Sequence, residues 1–348
     1  MDSSILVTGG AGFIGSHISL KLFENGYDVI LVDSFISSSS KGVENIQKYI
    51  KKKYPSRSHF FSIFKGDIRE YDLLNKIFSN AKKIGKSING VIHLAGFKSV
   101  YESIEKPLLY YDNNLCGTIN LLKCMELHNC KTIVFSSSAS IYDQNNYGLI
   151  NEEKEINPNN PYAKTKAIAE LILEDIFKSN CEDWKIANLR YFNPLGAHPE
   201  SIVGEELTLD STNLFPNIIK VALKIKNEIN IFGNDWPTKD GTCVRDYIHI
   251  MDLAEGHIRA LKLLFSKKNY FINLNLGTGN GQTVLEVIRT FEETNLVKIP
   301  YVFKERRVGD NAKVVADNSL AKKILDWSPS LSLEDMCRDS WKWENKDK

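Results

Sequence analysis

Tyr162 and Lys166 stand four residues apart in Tyr162-Ala163-Lys164-Thr165-Lys166, so a helix puts phenol and ammonium on one face. A free tyrosine titrates near about 10, which leaves roughly one phenol in a thousand ionised at neutral pH. A neighbouring ammonium favours the phenolate and lowers that value. Taken alone the pair is a common chance match, and a helix with an exposed lysine carries it equally well. Ser136-Ser137-Ser138 closes an apolar run 24 residues upstream. The serine run reads equally as a loop. Its place at a strand's carboxyl end favours a site, where Ser138 would bind a substrate hydroxyl or relay its proton to Tyr162.

The first residues supply the other half of such chemistry. The strand Ser4-Ile5-Leu6-Val7-Thr8 runs into Gly9-Gly10-Ala11-Gly12-Phe13-Ile14-Gly15. Glycines at 9, 12 and 15 permit a tight turn, close approach of a pyrophosphate and close helix–strand packing. The pyrophosphate then rests on a helix N-terminus, where free N–H groups and the dipole favour negative charge. An amphipathic stretch, Ile14 to Glu24, follows with apolar Ile14, Ile18, Leu22 and Phe23. The next strand, Asp28-Val29-Ile30-Leu31-Val32, ends in Asp33, 18 residues after Gly15. An acid there accepts hydrogen bonds from a ribose and repels a 2′-phosphate, which favours NAD over NADP. Lowering the Tyr162 pKa by about 3 units takes roughly 4 kcal/mol, with Lys166 and the positive nicotinamide ring as sources.

The elements that must position these groups alternate. After the first two strands come Phe60–Lys65, Val91–Ala95, Thr132–Ser136 and Ile186–Tyr191, separated by helical patterns near Gly42–Lys52, Glu70–Lys83, Pro107–His128 and Tyr162–Lys178. Asn159-Asn160-Pro161 signals the start of the last. Strands apolar on both faces belong to a parallel sheet covered on both sides. The expected fold is α/β, a doubly wound parallel sheet of Rossmann type with a second, smaller mixed α/β substrate domain. The first domain is expected over residues 1–192 and the second over 193–348, with segments near 240–270 returning to the first. Beyond residue 193, Gly, Pro and Asn punctuate shorter elements: Asn193-Pro194-Leu195-Gly196, Phe232-Gly233-Asn234-Asp235 and Asn275-Leu276-Gly277-Thr278-Gly279. Ser37 to Ser40 reads as a loop.

At 348 residues the chain can bury a large core, and 43% hydrophobic with 25% charged residues is the balance of a soluble globule. Forty-four basic side chains almost cancel 43 acidic ones, so nothing in the global charge invites nucleic acid or an anionic membrane. Lys51-Lys52-Lys53 reads as a solvated helix end. Six scattered cysteines (116, 124, 130, 181, 243 and 337) form no CxxC pair, and no metal site is expected. Free thiols, no signal-like leader and no membrane-length apolar stretch set the expectation of a cytoplasmic protein.

Gly9–Gly15, Asp33, Gly66-Asp67-Ile68, His93-Leu94-Ala95-Gly96, Asp112-Asn113-Asn114, the triple serine and Tyr162/Lys166 together resemble the extended short-chain dehydrogenase/reductase family. Longer strings narrow the resemblance to the UDP-glucose 4-epimerases: Lys106-Pro107, Tyr110 to Asn114, Arg190-Tyr191-Phe192-Asn193-Pro194, Ile231 to Asp235, and Asp240-Gly241-Thr242 through Val244-Arg245-Asp246-Tyr247-Ile248-His249. The likeness continues to Leu325-Asp326-Trp327 and Trp341-Lys342-Trp343, essentially the whole chain.

This resemblance implies that Gly9, Gly12, Phe13, Ile14, Gly15, Asp33, Asp67, Ile68, Leu94, Ala95, Lys98, Asn113, Ser136, Tyr162, Lys166 and Phe192 hold NAD. Asp67 and Ile68 would meet the adenine, and Phe192 the nicotinamide. On the sugar-nucleotide side it implies Ser138, Asn193, Asn213, Leu214, Phe232, Arg245, Tyr247, Arg307, Asp310 and Val314. Arg245 and Arg307 would clamp the diphosphate of a UDP-sugar through charge-assisted bonds, and Phe232 would face the uracil. The implied reaction exchanges UDP-glucose and UDP-galactose by transient oxidation at carbon 4, with Tyr162, Lys166 and Ser138 as catalytic groups and NAD retained throughout. The implied assembly is a homodimer, with Pro107–His128 one of its pairing helices.

Two departures from the family pattern stand out. Ser140-Ile141-Tyr142 is followed by Asp143 where the family has glycine, and the Arg-Arg-Glu-Gly-Asp pattern is here Arg306-Arg307-Val308-Gly309-Asp310. A 4,6-dehydratase on the same fold is the nearest rival, but it needs an Asp-Glu pair where this chain has Ala139-Ser140. A catalytically idle NAD-binding regulator is the rival of another kind, and intact Tyr162, Lys166 and Ser138 argue against it. Val314 stands where a bulkier tyrosine tends to exclude N-acetyl groups, so activity on UDP-N-acetylglucosamine is expected. The alternative is that Val314 simply packs within its strand.

Overall fold

The computed structural model describes residues 3–143, 148–179, 183–207, 213–307 and 310–346. Packing divides the chain into two compact units, one of Met1–Asp143, Glu155–Tyr191 and Ala254–Leu274, the other of Gln144–Lys154, Phe192–Leu253 and Asn275–Lys348. Among the described residues no helix is long and apolar enough to cross a membrane.

The first unit is built on β1 (Ser4–Thr8), β2 (Asp28–Asp33), β3 (Phe61–Lys65), β4 (Ile88–His93), β5 (Thr132–Ser138) and β6 (Lys185–Tyr191), with β10 (Tyr270–Leu276) at one edge. The sheet order is β10-β6-β5-β4-β1-β2-β3. Every pairing from β3 through β6 is parallel. β1 is buried at every position and β5 at all but its last, which is why both read as unbroken apolar runs. Strand order reverses between β1 and β4, and doubly wound folds bind ligands beyond the carboxyl ends at that reversal.

Its helices are α1 (Phe13–Glu24), α2 (Lys41–Lys53), α3 (Tyr71–Lys83), α4 (Val100–Glu105), α5 (Pro107–Tyr111), α6 (Gly117–Leu127), α7 (Pro161–Lys178) and most of α9 (Ile250–Phe265). Leu6, Val32, Phe78, Leu121, Phe135 and Trp184 belong to one buried cluster in this unit. Lys51, Lys52 and Lys53 form the exposed last turn of α2, where the dipole favours cations.

Three elements differ from expectation. The fourth strand is Ile88–His93 and stops before Leu94-Ala95, which turn away at the sheet's carboxyl edge. Pro107–His128 is not one continuous helix, because a π turn at Asp112–Cys116 separates α5 from α6. There the Asn114 carboxamide is drawn off the helix surface, donating to the Phe97 carbonyl at 3.1 Å and the Thr165 hydroxyl at 3.0 Å. Asn275-Leu276 ends the edge strand β10 rather than a short element of the smaller domain.

The second unit contains α8 (Leu214–Ala222), α10 (Val284–Asn295), α11 (Ser319–Leu325) and α12 (Leu333–Glu344). β9 (Val244–His249) is its organising strand, parallel to β7 (Asn193–Leu195) and β13 (Lys313–Val314) and antiparallel to β11 (Gly281–Thr283). β8 (Ile229–Phe232) and β12 (Tyr301–Lys304) form a separate parallel pair. Phe291 lies edge-on to Phe215 at 5.8 Å and to Trp341 at 5.9 Å in the core. Five cysteines are free thiols, Cys116 exposed and Cys124, Cys130, Cys243 and Cys337 buried; Cys181 lies outside the described residues.

Candidate active site

α7 begins where its sequence signals. Asn160 Oδ1 accepts the Ala163 N–H at 2.9 Å and Pro161 occupies the first turn, so Tyr162 projects from the start and Lys166 one turn on. Lys166 is buried, donates from Nζ to the Ser136 carbonyl at 2.7 Å and lies over the Phe135 ring at 5.0 Å. Ser138 Oγ accepts the Ser140 N–H at 3.2 Å and the Ser140 hydroxyl at 2.9 Å. The Ser138 hydroxyl also interacts with the Tyr162 phenol, an interaction that favours the phenolate. The three residues expected to do chemistry are thus brought together by β5 and α7.

The setting of the phenol works against its ionisation. Burial raises the Tyr162 pKa above its ordinary value and the Ser138 hydroxyl only partly offsets that. Burial also brings Lys166 down to about 8, against the pull of Glu170. An apolar setting penalises phenolate and ammonium alike, so Lys166 does not by itself depress the phenol and the second expected source, a positive nicotinamide ring, is required. Further positive charge at the site is needed for ionisation.

The surroundings add groups that spacing did not reveal. Arg190 on β6 donates to both Glu170 oxygens, at 3.0 and 2.6 Å, and to the Tyr142 hydroxyl at 3.0 Å. His93 sits between Thr8 Oγ1 at 2.7 Å and Thr118 Oγ1 at 2.8 Å. Thr118 donates to the Asn114 carbonyl, so His93 Nε2 donates to Thr118 and Nδ1 accepts from Thr8. Burial and the Lys166 charge lower the His93 pKa to about 3.

The glycine-rich turn fits a dinucleotide. Gly9 has φ +68°, and a Cβ there would lie 2.7 Å from the Ala95 nitrogen; one on Gly15 would lie 2.1 Å from the Gly9 oxygen. Gly12 instead faces open space except for the Gly9 oxygen at 3.4 Å, and it starts α1 with no side-chain cap and no acid in the first turn. Helix-start N–H groups without a side-chain cap suit an anion. Phe13 and Ile14 are the half-buried first residues of that helix. Asp33 accepts the Ala11 N–H at 2.9 Å, the Phe35 N–H at 2.9 Å and the Ser38 hydroxyl at 2.9 Å, so its carboxylate is fixed beside the turn.

Asp67 is paired with Arg69, which holds its carboxyl below the usual carboxylate range, and Ile68 is buried against Gly117. Leu94 and Ala95 are half-buried after β4, while Lys98 is exposed. Asn113 is buried and donates to Asn114 Oδ1 at 2.9 Å, and Ser136 completes the set under Lys166.

In the second unit β9 carries Arg245 and Tyr247 on one face. Arg245 donates to the Val244 carbonyl at 2.9 Å and the Asn311 carbonyl at 2.8 Å, and lies 3.6 Å from Asp310. Val314 is its register partner on β13, and Asn193 that of Tyr247 on β7. Arg307 is exposed and covers the Phe232 ring at 3.7 Å, so the two arginines are held by different neighbours. Asn213 precedes α8 and Leu214 opens it. Phe192 is buried and donates its N–H to the Leu276 carbonyl at 3.3 Å. Asp246, on the opposite face of β9, accepts the Thr278, Gly279 and Ala316 N–H groups, a structural anchor the motif alone did not disclose.

The parallel sheet, glycine turn and Ser-Tyr-Lys group define an extended short-chain dehydrogenase/reductase. A family model described as GDP-mannose 4,6 dehydratase matches residues 6–340. UDP-glucose 4-epimerase 2 of Arabidopsis thaliana is 45% identical over 343 residues, which cover 99% of this chain and 95% of that protein. The structure of UDP-glucose 4-epimerase from Stenotrophomonas maltophila, with bound NAD and formylated UDP-arabinopyranose, has a TM-score of 0.92 at 40% identity over 99% of this chain and 98% of that one. The Bifidobacterium longum enzyme in complex with NAD+ and UDP has a TM-score of 0.90 at 41% identity, covering 99% of each chain. The chain belongs to the UDP-glucose 4-epimerase family.

Proposed function

We propose that this chain is an isomerase that interconverts UDP-glucose and UDP-galactose with tightly held NAD, serving galactose metabolism. The observation that carries the reading is the Ser138–Tyr162–Lys166 group at the carboxyl end of β5, in a member of a family whose relatives bear that name. Gly9, Gly12 and Gly15 would admit the pyrophosphate, Asp33 would meet the adenosine ribose, and Lys166 the nicotinamide ribose. Asp67, Ile68, Leu94, Ala95, Lys98, Asn113, Ser136 and Phe192 would complete the cofactor's seat. NAD, when bound, supplies a hydride acceptor and donor at carbon 4 and a positive ring.

Tyr162 removes the proton of the 4-hydroxyl, and Ser138 orients that hydroxyl and stabilises the phenolate by hydrogen bonding. Lys166 keeps positive charge beside them. Arg245 and Arg307 grip the diphosphate region and Phe232 the uracil, with Asn193, Asn213, Leu214, Tyr247 and Asp310 lining the rest. The hexose must remain loose enough to turn over before Tyr162 returns its proton. Ala139-Ser140 offers no acid–base pair for water loss, which sets dehydration aside. Incubating purified protein with UDP-glucose, without added NAD, is expected to yield UDP-galactose. A dehydrated keto sugar would favour the dehydratase, and no conversion of any UDP-sugar would favour a regulator.

Val314 is half-buried at the register position of Arg245, and its small side chain favours room for a 2-acetamido group. Activity on UDP-N-acetylglucosamine follows, and Val314→Tyr is expected to cut that specificity constant about tenfold relative to UDP-glucose; an unchanged ratio removes this second reading. Exposed Val100, Tyr101, Ile104 and Leu108 on α4 and α5, with Leu171 on the adjoining α7, support a homodimer paired through these helices. Leu108→Glu is expected to halve the mass seen by light scattering. Free thiols in the described residues support a cytoplasmic location.

A further inference from the structure

We propose that the buried Glu170–Arg190 pair is a positioning device for the reaction: Glu170 keeps Lys166 charged, and Arg190 ties α7 to the turn that aims Ser138. The inference rests on the reading of Tyr162, Lys166 and Ser138 just given.

Tyr162, Lys166 and Glu170 follow one another at four-residue steps along α7, hence on one face. Arg190 and Glu170 have side chains only 2% and 7% exposed. Beyond their bidentate contact, Arg190 Nη1 donates to the Tyr142 hydroxyl, and the guanidinium also lies 5.2 Å from the Tyr142 ring. Tyr142 closes the short helical turn Ala139–Ile141 that Ser138 opens. One guanidinium therefore joins the helix bearing phenol and ammonium to the loop bearing the hydroxyl.

The charges around Lys166 give the pair its electrostatic role. From α7 come Tyr162 and Glu170. β4 contributes His93, held neutral by burial; β5 contributes the Phe135 ring and the Ser136 carbonyl; β6 contributes Arg190 and Tyr191, whose hydroxyl meets His257 Nε2 at 2.8 Å. Glu170 is the one anion among these groups, and it pulls Lys166 toward its charged form. Arg190 holds that carboxylate in place through its bidentate contact. A buried pair is weak evidence of stability in itself, so its link from the Tyr162/Lys166 helix to Tyr142 asks for another explanation.

Glu170→Gln tests this. Arg190 keeps a hydrogen-bond acceptor, while Lys166 loses its anion and faces an uncompensated guanidinium. The Lys166 ammonium, followed by NMR and assigned with Lys166→Met, is expected to titrate at least one unit lower than in wild type. On the NAD-loaded enzyme the alkaline limb of kcat moves with it, a loss of about tenfold at high pH and little at low pH. Glu170→Gln combined with Arg190→Met removes both buried charges and guards against misfolding; its Lys166 titration is expected to fall as well, by less. An unshifted Lys166 titration in either soluble variant overturns the proposal, even if thermal stability drops. Wild-type protein that fails to convert UDP-glucose overturns the functional reading instead, and the titration still judges the pair.

Discussion

The groups proposed for chemistry and several of those proposed for binding are held in different ways. Lys166, Glu170 and Arg190 are buried, sit within regular elements and have polar atoms committed to named partners. Arg307, Asn213 and Asn193 are exposed; Asn193 starts a strand, Asn213 precedes a helix, and Arg307 lies over the Phe232 ring. Catalysis needs donors fixed before the substrate arrives, because reorganising them would raise the barrier. Grip on a flexible diphosphate tolerates side chains that rearrange, provided their charges stay near. Substitutions in the first group should therefore strike turnover, and those in the second should strike affinity.

The hardest blow is expected from Tyr162→Phe, which removes the acid–base oxygen while leaving the ring. Turnover should fall by about a thousandfold or more while NAD and UDP binding, measured by calorimetry, persist. Near-normal rates would abolish the contrast. Arg245→Gln should raise KM about tenfold to a hundredfold with kcat within about twofold, since the lost charge-assisted bonds serve ground and transition states alike. A fall in kcat of equal size would put Arg245 with the chemical group.

The smallest effect concerns stability. His93 is held at about 3, below its ordinary 6.5, so the unfolded chain binds a proton that the folded one refuses. That contribution is complete above about pH 6.5 and is lost as pH falls toward 3. His93→Asn, which cannot titrate, should show a shallower decline of Tm between pH 7 and 4, whatever its stability at neutrality.

Features carried by short spacing could be read before any fold was known. The glycine turn needs only strand, glycines and helix in succession, and Tyr162 with Lys166 needs only a helical repeat. Arg190 and Glu170 lie 20 residues apart on a strand and a helix, and only the placement of β6 beside β5 brings them into contact. The π turn at Asn114 depends on partners at Phe97 and Thr165, far along the chain. β10 escaped because an edge strand with half-buried residues lacks the continuous apolar run that marks its neighbours. The raised phenol follows from burial, a property no spacing discloses.

The bare start of α1 has a further result. Amide groups there that no side chain satisfies remain a standing cost until an anion settles on them, so folding and ligand uptake form one linked equilibrium. Protein stripped of dinucleotide should melt earlier than freshly isolated material, and its melting temperature should climb with the logarithm of added ligand. Heat tolerance in this chain is thus a property of its occupancy as much as of its packing.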